Sequence, residues 1–184
     1  MSFHVVDKYF SQDFIDHVGS LVRNIELINA TAVGKDGITL TDGRVTKGCY
    51  FDDHGITDDA VSNTLYNLVS RFNSRFYGFD IWSDPEIQYL EYRASENSYF
   101  DWHSDDMIES TSHRPRKFSV TIQLSDPMSY KGADFQAQGI EFDSTVKNRG
   151  SAIIFPSYEE HRVTRVTKGT RKALVAWFRG PRWR

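Results

Sequence analysis

From Asp84-Pro85 onward the chain reads as short β-type segments separated by turn residues, with no helical pattern between them. The expected strands are 87–93, 99–105, 117–124, 133–138, 145–147, 151–155, 160–166 and 171–178. Asp126-Pro127, Lys131-Gly132, Asn148-Arg149-Gly150, Pro156-Ser157 and Lys168-Gly169 mark the turns. This pattern indicates a sandwich or jelly roll.

Before residue 85 the period changes. Phe14, Ile15, Val18, Leu21, Val22 and Ile25 lie on one helical face, with Ser11 placed to cap it and Asp13 in its first turn. A second helix is expected from Thr57, with Asp58 and Asp59 at its start and Val61, Leu65, Leu68, Val69, Phe72 and Phe76 on its apolar face. Gly34, Gly37, Gly43 and Gly48 punctuate the polar stretch between the helices, which reads as a loop or irregular hairpin. A surface loop is the favoured reading of 34–48, a flap over a site the alternative. The 184 residues suit a single domain, 1–184, with helical support over 1–84 and a β core over 85–179.

Net charge is −3, so no global field calls for a nucleic-acid partner. Cys49 is the sole cysteine and excludes an internal disulfide. With no long apolar run and no basic-then-apolar leader, neither a membrane span nor a secretion signal is expected, and the cytoplasm is the expected compartment.

The chemistry concentrates at three residues. His103 and Asp105 stand at alternate positions of an expected strand, so both project from one face. A second imidazole comes from His161, after the apolar segment 150–156 and its turn. Two imidazoles and a carboxylate on one face of an iron leave three coordination sites for substrate, cofactor and O₂, the pattern of a non-haem iron oxygenase. His-x-Asp by itself is weak, since chance supplies one such triplet roughly half the time in a chain of this composition. Arg171 adds weight. It opens an apolar strand and shares a face with Ala173, Val175 and Trp177. A cation on an inward face is costly unless an anion meets it, and a guanidinium can hold a carboxylate by two parallel hydrogen bonds.

Longer motifs surround these residues: His103-Ser104-Asp105, Leu124-Ser125-Asp126-Pro127, Tyr130-Lys131-Gly132-Ala133-Asp134, Phe155-Pro156-Ser157-Tyr158-Glu159-Glu160-His161-Arg162-Val163-Thr164 and Lys168-Gly169-Thr170-Arg171. With them the chain resembles the 2-oxoglutarate- and Fe(II)-dependent oxygenases, in particular the prolyl-4-hydroxylase-like branch with its PKHD-type hydroxylases. The resemblance implies a mainly β fold, a double-stranded β-helix (jelly roll, cupin-like) with N-terminal α-helices. It implies that His103, Asp105 and His161 form the catalytic centre and ligate Fe(II), and that Arg171 grips the far carboxylate of 2-oxoglutarate. It further implies that Ser119 and Gln123 approach that co-substrate, that Tyr92 donates a hydrogen bond to it, and that Trp177 walls its pocket. For Tyr92 and Trp177 a plain core role weighs equally.

The sequence departs from the family pattern at Phe100, where a tyrosine is common, at Tyr92-Arg93-Ala94-Ser95 in place of Tyr-x-x-Gly, and at Gly132-Ala133 in place of Gly-Gly. The implied reaction consumes O₂ and hydroxylates an unactivated C–H bond, releasing succinate and CO₂, with ascorbate as an accessory reductant. A peptide, protein or free amino acid is the implied substrate, proline or lysine side chains first. The polar segment 106–116, with His113, Arg114, Pro115 and Arg116, is either a solvated loop or a substrate entrance. Two other readings stand beside this one. A nucleobase demethylase would carry a second arginine where Trp177 stands, and would use Arg179, Arg182 and Arg184 on phosphate. A non-catalytic jelly-roll binding module would have no need of His103, Asp105, His161 and Arg171 together.

Overall fold

The structure, a computed structural model, describes residues 2–30, 32–33, 39–40, 43–106 and 113–183. Both helices begin where a side chain caps them. The Phe14 N–H donates to Ser11 Oγ at 3.2 Å at the start of α1 (Gln12–Val22). The Val61 N–H donates to Asp58 Oδ1 at 2.9 Å at the start of α2 (Asp59–Phe72). Each cap satisfies one of the amides that a first turn leaves without an intrahelical partner.

In chain order the strands are β1 (His4–Val6), β2 (Ile28–Asn29), β3 (Ala32–Val33), β4 (Thr39–Leu40), β5 (Arg44–Val45), β6 (Lys47–Tyr50), β7 (Glu86–Arg93), β8 (Tyr99–His103), β9 (Arg116–Gln123), β10 (Tyr130–Gly132), β11 (Phe135–Ala137), β12 (Ala152–Pro156), β13 (His161–Val163) and β14 (Val166–Arg179). Among the described residues a major sheet runs β1-β12-β9-β14-β7-β6-β2, with β10 added to β14. A minor sheet runs β11-β13-β8-β5, and β3 and β4 form a separate ribbon.

The major sheet is buried on both faces, and strand alternation divides its residues cleanly. Phe118, Val120 and Ile122 of β9 join Leu174, Ala176 and Phe178 of β14 and the buried faces of α1 and α2 in one apolar cluster. The opposite face contributes Tyr92, Ile153 and Phe155 to a second cluster, with Phe135 and Val163 of the minor sheet. Ser119, Thr121, Gln123, Arg171 and Gln88 are buried polar residues of that inner face.

Three expectations are corrected. Residues 145–147, read as a strand, form a 3₁₀ turn (Ser144–Lys147) because the Thr145 N–H donates to the Asp143 side chain at 2.8 Å, a local bond that competes with sheet pairing. Lys168-Gly169, read as a turn, lies inside β14, since β10 pairs across it with Tyr130 opposite Gly169. Gly169 has φ +71°, and any side chain there would run into the Ser129 carbonyl. The stretch read as loop or irregular hairpin supplies β6 to the major sheet and β5 to the minor sheet, so the part before residue 85 is not helical support alone. Gly34 and Gly37, and 107–112 of the expected entrance, lie outside the described residues.

Candidate active site

His103 at the end of β8 and His161 at the start of β13 face each other directly across the minor sheet, with ring centroids 4.2 Å apart. Asp105, two residues past β8, completes the group. His103 Nε2 stands 3.6 Å from one of its carboxylate oxygens and His161 Nε2 stands 3.9 Å from the other. One ligand atom from each residue lies within 4.8 Å of the others.

The orientation of all three groups is fixed from behind. Nδ1 of His103 donates to the Asp101 carbonyl at 2.7 Å, and Nδ1 of His161 donates to the Glu159 carbonyl at 3.0 Å. Those bonds place the proton on Nδ1 and leave each Nε2 lone pair directed at the common centre, as metal-binding imidazoles require. Phe100 stacks on His103 with 3.4 Å between centroids, and Phe155 packs edge-on against His161 at 4.6 Å. Ser119 donates its hydroxyl to Asp105 at 2.6 Å and lies 2.9 Å from the Ser157 hydroxyl.

Burial pushes the His161 imidazole down to about 4, with His103 adding to the shift and Asp105 opposing it, so the ring is neutral near pH 7. Burial works against an ionised Asp105, but His161, His103 and Arg116 outweigh it and hold the carboxyl well below the usual range. A carboxylate with a neutral imidazole donor beside it suits a divalent cation.

Arg171 comes from β14 of the opposite sheet, directly across from Tyr92 in β7. It is 1% exposed. Its Nε donates to Gln123 Oε1 at 2.9 Å, and its guanidinium carbon lies 5.1 Å from the centre of the Tyr92 ring. Nη2 is buried with no hydrogen-bond partner among the described residues. An unanswered donor on a buried cation costs stability that a bound carboxylate would recover.

Residues 87–179 match the 2OG-Fe(II) oxygenase superfamily. The chain belongs to that superfamily. It is 26% identical over 166 residues to a PKHD-type hydroxylase of Synechococcus sp. (strain CC9311), across 84% of this chain and 70% of the relative. Among solved structures, a Pseudomonas putida prolyl-4-hydroxylase aligns with TM-score 0.72 at 18% identity, over 97% of this chain and 92% of that one. A Trichoplax adhaerens prolyl hydroxylase, in complex with a peptide fragment of the hypoxia inducible factor oxygen degradation domain, aligns with TM-score 0.72 at 16% identity, over 96% and 83%. The two facing sheets are thus the double-stranded β-helix shared with these proteins. The superfamily works with Fe(II), 2-oxoglutarate and O₂, and the donor set at His103, Asp105 and His161 fits that metal.

The oxygenase holds a cavity of about 180 Å³ on these three residues. Tyr92, Thr121 and Trp177 are on its wall. Arg171, Ser119 and Gln123 do not line it. Arg171 packs against Tyr92, Gln123 holds Arg171, and Ser119 grips Asp105 instead of facing an open space.

Two further arginines line the cavity: Arg44, which sequence reasoning missed, and Arg116, which it named only within the segment read as a solvated loop or a substrate entrance. Arg44 is buried, donates from Nε to Thr46 at 2.8 Å, and stacks 4.5 Å from the Phe100 ring centre. Arg116 lies 3.8 Å from the Trp177 ring centre and is ion-paired with Glu86. Arg44 sits in an aperiodic glycine-rich stretch that offered no signal, whereas Arg116, at the end of the segment read as loop or entrance, is the first residue of β9. Arg179, considered as a phosphate contact, is instead committed to Glu86 and the Arg114 carbonyl. No helix among the described residues is long and apolar enough to cross a membrane.

Proposed function

We propose that this oxygenase hydroxylates an unactivated C–H bond of a peptidyl or free amino acid, consuming 2-oxoglutarate and O₂ and releasing succinate and CO₂. Convergence of His103, Asp105 and His161 within 4.8 Å carries the reading. In it, the three residues ligate Fe(II) and Arg171 holds the far carboxylate of 2-oxoglutarate. Iron with its co-substrate supplies the oxidising power when bound; the protein supplies position and exclusion of water.

Each residue has a part. The Asp101 and Glu159 carbonyls keep both imidazoles in the ligating tautomer. Ser119 orients the Asp105 carboxylate, and Gln123 sets the Arg171 guanidinium by fixing its Nε. In this reading Tyr92, beside Arg171 on the cavity wall, donates its hydroxyl to the co-substrate, and Trp177 walls the pocket. The aromatic lining of Phe100, Phe135 and Phe155 keeps the site dry around the metal. Kinship with PKHD-type hydroxylases and the fold shared with prolyl hydroxylases support a prolyl side chain as first candidate and a lysyl side chain as second.

The test is mass spectrometry of a panel of proline- and lysine-containing peptides and the free amino acids, incubated with Fe(II), 2-oxoglutarate and O₂. The expected product gains one oxygen atom, in step with succinate release, and neither forms with His161→Ala. Succinate release that His161→Ala leaves intact would contradict the proposal.

A further inference from the structure

Outside β11 lies a groove of about 930 Å³, bounded by Gln136 and Gln138, by Trp102 of β8, and by Glu141, Phe142 and Asp143 of the following segment. It shares one lining residue, Phe135, with the cavity at the metal ligands. β11 is the last strand of the minor sheet, and among the described residues it pairs with β13 alone, apart from a single bridge of Ala137 to Ile140. The 3₁₀ turn Ser144–Lys147 stands where the sequence suggested a further strand, and no strand among the described residues covers this edge.

The outer edge still has backbone groups to offer. Antiparallel bonds alternate along a ladder. The Thr164 N–H donates to the Asp134 carbonyl at 2.9 Å, and Phe135 and Gln136 sit opposite Val163 and Arg162. Gln136 therefore bonds toward β13, while the N–H and carbonyl of Phe135 point outward. The Ala137 carbonyl is turned back to the Ile140 N–H at 3.3 Å.

Charge adds a preference. Asp134 is neutralised by an ion pair with Lys147, the only base among the described residues lining the groove. Glu141 and Asp143 are exposed acids on the same lining, and neither has a basic partner there.

The register then ties the groove to the chemistry. Ala137, His161 and His103 form one row across β11, β13 and β8. A chain laid against β11 would run about 10 Å from the backbone of His161, two strand spacings, and a few extended residues at roughly 3.3 Å each span that distance. We infer that the groove is an exosite for an extended, lysine- or arginine-rich polypeptide segment, which pairs with the edge of β11 at Phe135 and presents a flanking residue to the iron cavity. This use of the groove rests on the reading of the substrate as a polypeptide.

Binding can be tested apart from turnover. The intact protein is titrated into two fluorescein-labelled peptides without proline, one a lysine–threonine repeat and one a glutamate–threonine repeat, and anisotropy is followed. The lysine peptide binds and the glutamate peptide does not. Glu141→Lys weakens the lysine peptide, and Asp143→Asn, which keeps the acceptor for Thr145, weakens it less, by roughly two- to fivefold for each charge altered. Hydrogen exchange shows the Phe135 amide protected only when the lysine peptide is present. Equal binding of both peptides, no binding of either, or a lysine peptide indifferent to Glu141→Lys overturns the exosite. Failure of the hydroxylation assay with lysine-peptide binding intact removes the hydroxylase reading and leaves the exosite standing.

Discussion

The metal-ligand group and Arg171, which packs against Tyr92 of the cavity wall, differ in how their polar groups are satisfied. At the metal end each imidazole has its Nδ1 bonded to a backbone carbonyl, and Asp105 accepts from Ser119. Behind Tyr92, Arg171 is more deeply buried than either imidazole, but only its Nε is bonded and Nη2 has no partner among the described residues. The first arrangement already holds its groups in the geometry that the proposed cation would use. The second leaves one buried donor unanswered, which the proposed carboxylate of 2-oxoglutarate would satisfy. The difference teaches that ligand loss should be felt unequally: a metal-end variant loses function, whereas an anion-end variant loses affinity and relieves a cost.

The largest effect is expected at the imidazoles. His103→Ala and His161→Ala should reduce succinate formation by more than roughly a hundredfold, since losing a ligand exceeds the 10- to 100-fold cost of losing a ligand's supporting bond. Ser119→Ala removes only such a bond and should weaken Fe(II) by about tenfold or more on the same scale, read by competition with a chelator. If Ser119→Ala is silent, the metal end is less constrained than the geometry implies.

Arg171→Met sharpens the contrast. Charge-assisted hydrogen bonds contribute roughly 1.5–3 kcal/mol, so 2-oxoglutarate affinity should fall by at least about tenfold in calorimetry. Thermal stability without ligand should hold or rise, because a buried and half-satisfied cation has been removed. A loss of stability without loss of affinity would make Arg171 a core residue and no anion site.

Acid should act on the metal end. His161 titrates at about 4 when folded against 6.5 when unfolded, so below 6.5 the unfolded chain binds more protons than the folded one. The stability this group contributes is complete above pH 6.5 and is lost as pH falls toward 4. The melting temperature of the metal-free protein should decline across that window, and His161→Gln should flatten the decline. The smallest effect is at Cys49, whose thiol burial pushes up to about 11; alkylation by iodoacetamide at pH 8 should be slow until the protein is denatured.

Legibility followed periodicity. In β9 the alternation of Phe118, Val120 and Ile122 with Ser119, Thr121 and Gln123 separates the helix-facing residues from the inner polar row, as the period of two requires. The cap at Ser11 was equally plain, whereas Asp58, read as part of the first turn of a helix from Thr57, is the cap of a helix that begins at Asp59. His103 and His161 were found by residue type and supported by motif context, but their pairing across β8 and β13 depends on contacts far apart in sequence, which no local pattern carries.

Arg44 and β6 escaped because a short strand in a glycine-rich stretch has no period to detect; β6 forms through pairing with β7. The segment 145–147 misled for the opposite reason: Thr145 and Val146 look strand-like, yet one bond to Asp143 decides the turn. Ser119 lay on the expected face, but whether it serves the co-substrate or the Asp105 carboxylate turns on a side-chain direction that strand parity leaves open.

The central claim is that one cation and one dicarboxylate sit together between His103, Asp105, His161 and Arg171. Anaerobic titration of 2-oxoglutarate into the Fe(II)-loaded protein measures it, through the visible charge-transfer absorption that forms when the acid chelates the metal. The account predicts a saturable band in the wild type, no band in His161→Ala, and a band needing at least about tenfold more 2-oxoglutarate in Arg171→Met. A wild-type protein that binds Fe(II) and develops no band, or a band that survives His161→Ala unchanged, would contradict it.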